Sequence, residues 1–302
     1  MLKTTLMVLL ILFLLGLAAG FYLATYVAPY AIIQPPRKVR QETPATYGLA
    51  YEPTRLTTAD GTALDAFYIP ATVPARSNLI MLHGVGSCKE VYLGTVAELT
   101  ALGYNVLLWD QRAHGKSGGQ YLSYGYREKE DVSLAIDWLE AKSPGLPTGI
   151  YGNSMGGAVA LQSLAHDGRL RFGLIESTFQ DLQTVTHAYG RRMSGLPLPR
   201  WLTNYVLDQA GKIADFPPRS IQPLLSARAI TQPVLLIHGD TDRNIGIENA
   251  HALFAALASA DKELYTVQNG DHADLWDKGG EPYRDAWFGF LKRMVATNGI
   301  AE

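Results

Sequence analysis

Gly152-Asn153-Ser154-Met155-Gly156 is the stretch of this chain best suited to chemistry. It follows the short apolar run Gly149-Ile150-Tyr151 and precedes Gly157-Ala158-Val159-Ala160-Leu161, which opens well as a helix. Strand, sharp turn carrying serine, then helix is the pattern of a nucleophile elbow. The turn must hold Ser154 in a strained backbone conformation so that its hydroxyl stands clear of the sheet. Residues two before and two after then crowd neighbouring backbone, which is why they are glycine. The free N–H groups at the start of the next helix aim at any anion that forms on a substrate. A serine hydroxyl is a weak nucleophile. It needs a base to take its proton and a third group to hold that base in the right tautomer. A bare Gly-x-Ser-x-Gly is also an ordinary turn, so the surrounding elements decide its meaning.

Those elements alternate. Apolar strands are expected at 79–83, 105–110, 149–151, 172–177, 233–238 and 262–267, the first ending in His83-Gly84. An antiparallel pair at 55–58 and 64–69 flanks the turn signal Asp60-Gly61. Helices are expected near 91–102, at 129–142, at 158–165 and at 285–296. In the second of these, Val132, Ala135, Ile136 and Leu139 recur at helical spacing. Strands alternating with helices predict a mostly parallel, doubly wound α/β sheet. Residues 179–230 break this rhythm with Pro197, Pro199, Pro217, Pro218 and Pro223 between short helical pieces.

Together with the ordered series Leu79 to Gly84, Asn105 to Ser117, Pro233 to Asp242 and Asn269-Gly270-Asp271-His272, the elbow carries a family resemblance. The chain resembles the α/β-hydrolase superfamily, in the branch of serine hydrolases similar to acylglycerol lipases and serine aminopeptidase-like proteins. The resemblance covers roughly residues 50–295. It implies the α/β-hydrolase fold, with 179–230 as a short helical lid, and the chain order Ser, Asp, His for the catalytic residues. Ser154 is then the nucleophile. His272, in a polar loop after the last strand, is the base. Asp242, last in His238-Gly239-Asp240-Thr241-Asp242, is the acid, with Asp240 as runner-up and Glu176 as a third choice. The family's geometry assigns the oxyanion hole to the backbone N–H groups of Val85 and Met155. Ala113 stands where many relatives carry glycine. In the lid, Trp201, Leu202, Tyr205, Val206 and Leu207 either line an acyl pocket or anchor the lid to the body. Phe179 joins Trp201, Leu202 and Tyr205 near the expected mouth.

Bulk properties narrow the function classes. The chain has 302 residues, 47% hydrophobic and 18% charged, with a formal net charge of −2 and no long basic run, so nucleic acid is set aside. One cysteine, Cys88, excludes an intramolecular disulfide and a cysteine-rich metal site. No metal-ligand spacing and no phosphate loop stand out, so no cofactor and no metal are implied. From Thr4 to Ile33 no residue is charged, and Leu6 to Leu15 is almost wholly large and apolar. That length suffices to cross a bilayer, which needs about 20 residues. No A-x-A cleavage site lies at Ala18-Ala19-Gly20, so residues 1–33 are expected as a retained single-pass anchor rather than a signal peptide. Lys3 on one side against Arg37, Lys38 and Arg40 on the other leaves the orientation undecided. Residues 34–50 read as a polar linker without core, and 51–302 as the hydrolase domain.

Three functions follow from these features. The first is a membrane-anchored serine hydrolase acting on small acyl or lipid-like carboxylic esters. The second is an amidase or peptidase with the same three residues. The third is a catalytically silent scaffold that binds a partner at the membrane. Oligomeric state does not follow from the sequence.

Overall fold

Eight strands form one sheet in a computed structural model that describes residues 2–298. They are β1 (Glu52–Thr57), β2 (Ala63–Ile69), β3 (Ser77–Leu82), β4 (Tyr104–Trp109), β5 (Thr148–Asn153), β6 (Leu170–Glu176), β7 (Val234–Gly239) and β8 (Lys262–Val267). Their spatial order is β1-β2-β4-β3-β5-β6-β7-β8. β2 runs antiparallel to both β1 and β4, and every other pairing is parallel. Parallel strands covered on both faces need apolar residues at every position, which explains why β3, β4 and β7 are buried throughout. The chain reverses its direction of travel across the sheet between β3 and β5, so a crevice opens beyond the carboxyl ends of those strands.

Among the described residues, ten α-helices accompany the sheet. They are α1 (Leu2–Tyr22), α2 (Ala28–Ile33), α3 (Leu93–Ala101), α4 (Glu128–Lys142), α5 (Met155–His166), α6 (Leu182–Ser194), α7 (Arg200–Ala214), α8 (Pro223–Ala227), α9 (Glu248–Ala256) and α10 (Leu275–Asn298). α3 and α10 pack in the core on one face of the sheet, where Leu79, Met81, Tyr104 and Trp287 meet. α4, α5, α8 and α9 cover the other face around Ile80, Leu107, Ile136 and Leu161. α10 starts earlier than the spacing predicts, because Gly280 (φ 52, ψ −145) breaks it into two pieces and Pro282 opens the second. α6 and α7 form a hairpin within the 179–230 stretch and rest on a third apolar cluster.

The N-terminal run Leu2–Ile33 contains an 18-residue stretch with a mean hydropathy of 2.7 and is long and apolar enough to cross a membrane. Its first helix touches no core. A π-helical turn, Leu23–Val27, interrupts it just before Pro29. Proline lacks the N–H for an in-register bond and its ring crowds the preceding turn, so the helix takes up the mismatch as a bulge. Beyond it the chain differs from the coreless linker expected at 34–50. Within it Leu49 joins the core beside α3 and α10, and just before it Ile33, the last residue of the expected anchor, is fully buried with Phe179, Leu182 and Leu207. Arg37 donates to the carbonyls of His114, Gly115, Ser117 and Gly119. Burying Ile33 alone stabilises this docking by roughly 1.5–3 kcal/mol. A boundary at residue 51 therefore cuts through packed structure. The last four residues of the expected 51–302 domain lie outside the described residues.

Candidate active site

Ser154 sits between β5 and α5 with φ 55 and ψ −118, a region that L-residues rarely occupy. Its N–H donates to Glu176 O at 2.8 Å, and Thr178 Oγ1 donates to its carbonyl at 2.7 Å. These bonds hold the strained turn from outside. The flanking glycines are sterically required: a Cβ at Gly152 would lie 2.2 Å from Gly156 O, and one at Gly156 would lie 2.2 Å from Leu82 O. Gly84 lies against the serine, since a Cβ there would come within 3.2 Å of Ser154 Cβ. The loop after β3 therefore runs beside the hydroxyl. Neither the Val85 nor the Met155 N–H donates a hydrogen bond in the turns and loops of the described residues.

His272 lies in the loop between β8 and α10. Its Nε2 is 3.0 Å from Ser154 Oγ, and its Nδ1 is 2.7 Å from Asp242 Oδ2. Asp242 follows β7, and its side chain is wholly buried. Its Oδ1 accepts from the Asn244 and Ile245 N–H groups at 2.8 and 2.9 Å. His238 Nε2 stands 3.4 Å from Oδ2 and donates mainly to Ile245 O at 2.7 Å. Burial pushes the Asp242 carboxyl upward. Hydrogen bonds from His238 and His272 and the Ile245 N–H more than offset this, so it stays ionised well below the usual carboxylate range.

Further contacts lock the two loops together. Arg243 pairs with Asp271, Thr241 N donates to Gly270 O at 3.1 Å, and Asn269 N donates to Asp240 Oδ1 at 2.6 Å. Asp240 is thus spent on the loop backbone. Glu176 lies beneath the elbow, accepting from Tyr283 OH at 2.6 Å and Asn153 Nδ2 at 2.9 Å. Burial raises its pKa despite those donors. Neither runner-up acid bonds to His272. Arg243 and Asp271 were unmarked by spacing alone. Their signal is adjacency to Asp242 and His272 in the chain.

The other expected residues lie as follows. Ala113 adopts φ 63, so the turn that glycine would ease forms with alanine. Cys88 is fully buried, and burial followed by the Glu90 carboxylate pushes its thiol up to about 11. Phe179 and Leu207 are buried in the cluster that also holds Ile33 and Ile245. Trp201 does not line a pocket there. It is 71% exposed at the start of α7, while Ile33 of the N-terminal segment shares the cluster with Leu207. A surface groove bounded by Tyr126, Asp208 and Phe216 contains none of Ser154, Asp242 and His272.

Chemically, this arrangement can take a proton from a hydroxyl and return it to a leaving group. Comparison with known proteins gives the family. Residues 73–184 match the family model described as serine aminopeptidase, S33. The Bacillus subtilis protein YqkD is 33% identical over 72% of this chain and 72% of its own length. Protein bem46 of Schizosaccharomyces pombe is 27% identical over 94% of this chain and 90% of its own. The esterase Pf2001 of Pyrococcus furiosus superposes with a TM-score of 0.73 at 29% identity, over 87% of this chain and 98% of its own. With an eight-stranded sheet of this order and a serine elbow at its switch point, the chain belongs to the α/β-hydrolase superfamily and is a hydrolase.

Proposed function

We propose that the protein is a membrane-anchored serine hydrolase that cleaves carboxylic esters through an acyl-enzyme. The observation that carries this reading is the relay from Ser154 Oγ to His272 Nε2 at 3.0 Å and from His272 Nδ1 to Asp242 Oδ2 at 2.7 Å. In this mechanism Ser154 Oγ attacks the ester carbonyl and its proton passes to His272. Asp242 holds the imidazole with Nδ1 protonated and stabilises the cation that forms. The Val85 and Met155 N–H groups receive the oxyanion, each contributing about 100- to 1000-fold in rate. His272 then protonates the leaving alcohol. Water, deprotonated by the same ring, releases the acid. No cofactor enters any step.

Esters are favoured over amides on two grounds. The α6–α7 hairpin has no acidic residue between Asp181 and Asp208, so it offers no carboxylate cluster for a peptide's amino terminus. The structural relative Pf2001 is an esterase. The family model's aminopeptidase description supports the amide reading, which uses the same three residues. Anchoring through the run Leu2–Ile33 would keep the crevice near amphiphilic substrates. The test is a fluorophosphonate probe followed by a substrate panel. Ser154 should be labelled in the native chain, and Ser154→Ala should not. p-Nitrophenyl acyl esters should exceed aminoacyl anilides in kcat/KM after correction for intrinsic reactivity. Labelling of another serine would sink the nucleophile, and preference for anilides would move the function to the peptidase alternative.

A further inference from the structure

The α6–α7 hairpin leaves a surface that the proposed reaction does not use. Met193, Leu196 and Trp201 are 67%, 59% and 71% exposed at its tip. Large apolar side chains clustered this openly mark an interaction surface. Arg191, Arg192 and Arg200 stand among them, all exposed, with no acidic residue anywhere in 182–207. Tryptophan, apolar side chains and unneutralised arginines on one tip are the composition that settles at a lipid–water interface.

The position of the tip follows from its contacts with the N-terminal segment. α1 has 21 residues, which at 1.5 Å per residue spans about the 30 Å of a bilayer's hydrocarbon core. Phe21 and Thr25 then fall at its edge. Tyr205 of α7 meets both: its ring lies 6.3 Å from that of Phe21, and its hydroxyl is 2.9 Å from Thr25 Oγ1. Further along α7, Leu207, Ala210 and Ala214 share a cluster with Ile33, at the far end of α2. α7 therefore ascends beside α2 in the same direction, away from the apolar helix. Trp201, about one turn before Tyr205, lies on the opposite, bilayer side. The hairpin turn and its arginines lie there with it.

We infer that the α6–α7 tip docks on the bilayer that holds α1, with Trp201, Met193 and Leu196 entering the interface and Arg191, Arg192 and Arg200 engaging anionic lipid phosphates. The α6–α7 hairpin is thereby held at the membrane surface. This inference rests on the anchor reading above, and the two fail differently.

The test uses the full chain reconstituted into vesicles of phosphatidylcholine, with or without phosphatidylglycerol. Tryptophan emission of the native chain is compared with that of Trp201→Phe to isolate Trp201. Bromine placed on the lipid acyl chains near the headgroup should quench the Trp201 signal about twofold, and acrylamide should reach it less than in detergent. Phosphatidylglycerol should deepen the quenching. That dependence should vanish when Arg191, Arg192 and Arg200 are all changed to glutamine. A chain that resists carbonate extraction while its Trp201 stays open to acrylamide would overturn the docking alone. Protection from acrylamide without quenching by lipid would mean a protein partner or second copy covers the tip, and would also overturn it. Release by carbonate would remove the anchor and this inference with it.

Discussion

Two buried polar clusters flank the switch point of the sheet, and they are built from the same residue types. On the β5 to β8 side stand His272, Asp242 and Ser154. On the β3 and β4 side stand His83, His114 and Asp110. The difference lies in what each imidazole faces. His83 donates through Nδ1 to Gly84 O and accepts the Gln111 N–H on Nε2, at 2.8 and 3.0 Å. His114 does the same with Arg112 O and the Gly86 N–H, again at 2.8 and 3.0 Å. Both rings are therefore neutral, with every nitrogen used by backbone. Burial, and then the neighbouring His114, pushes the His83 pKa down to about 3. Burial likewise lowers that of His114. His272 instead faces a carboxylate on one nitrogen and a hydroxyl on the other.

The carboxylates differ in the same way. Asp110 is matched to a fully buried lysine, Lys89 Nζ, at 2.8 Å, which also meets Asp65 at 2.6 Å. Burial opposes ionisation of Asp110, yet Lys89 holds it below the usual range. Asp110 accepts from Lys89 and the Lys116 N–H rather than from either histidine, so it orients no imidazole. The lesson is that a buried His–Asp neighbourhood becomes reactive only where one ring nitrogen is left for something other than backbone. The β3 and β4 cluster instead positions the loop carrying Val85. Arg37 reaches it from the N-terminal segment.

The sharpest way to break this comparison is to remove the proposed nucleophile and base. Ser154→Ala or His272→Ala should lower kcat on p-nitrophenyl esters by on the order of 10⁶-fold. His251→Ala should leave it nearly unchanged. Should His114→Asn equal His272→Ala with the fold intact by circular dichroism, the two clusters would not differ as argued. Next, Asp242→Asn should lower kcat by on the order of 10⁴-fold through loss of tautomer control. Asp240→Asn should lower it far less, because Asp240 holds backbone; the reverse order would move the acid.

On the structural side the expected effects are on stability. Lys89→Met strips the cation from buried Asp110, and urea unfolding should show a loss of about 3–5 kcal/mol. The folded fraction should retain its turnover, and a loss confined to kcat would contradict the assignment. The most gradual effect is acid sensitivity. An unfolded histidine binds its proton near the ordinary 6.5, whereas folded His83 does so only near about 3. The unfolded state thus holds more protons in that window, so stability must fall as pH drops below about 6.5. Each such histidine adds up to about 1.4 kcal/mol per pH unit. Asp242 and Asp110, whose pKa values are depressed, add their loss only below the ordinary carboxylate value of 3.8. Urea midpoints measured from neutral pH downward test this, and a flat profile to pH 4 would contradict it.

Much of this molecule was legible before folding was considered. The elbow, the strands and the doubly wound order follow from short-range patterns. Gly152 must be small because of contacts within its own turn, and β3 must be apolar because both its faces are covered; that Gly156 must be small follows only from the approach of Leu82 on β3. The candidate histidine and acid were legible only as members of a short roster. Asp240 and Asp242 sit two residues apart, and no local rule separates them. The docking of the N-terminal segment was not legible at all. Arg37 reads as one of a solvated basic trio, and Ile33 reads as the end of an apolar run.

Sequence by itself determined which residues could strain a turn, fill a sheet or cross a bilayer, because those properties depend on neighbours within a few positions. Tertiary structure alone decided which carboxylate meets His272, which histidines are consumed by backbone, and where Ile33 and Trp201 come to lie. Those outcomes depend on groups brought together from 28 to 180 residues apart. Their energies come from desolvation and directional hydrogen bonds, which exist only once the partners share a buried site.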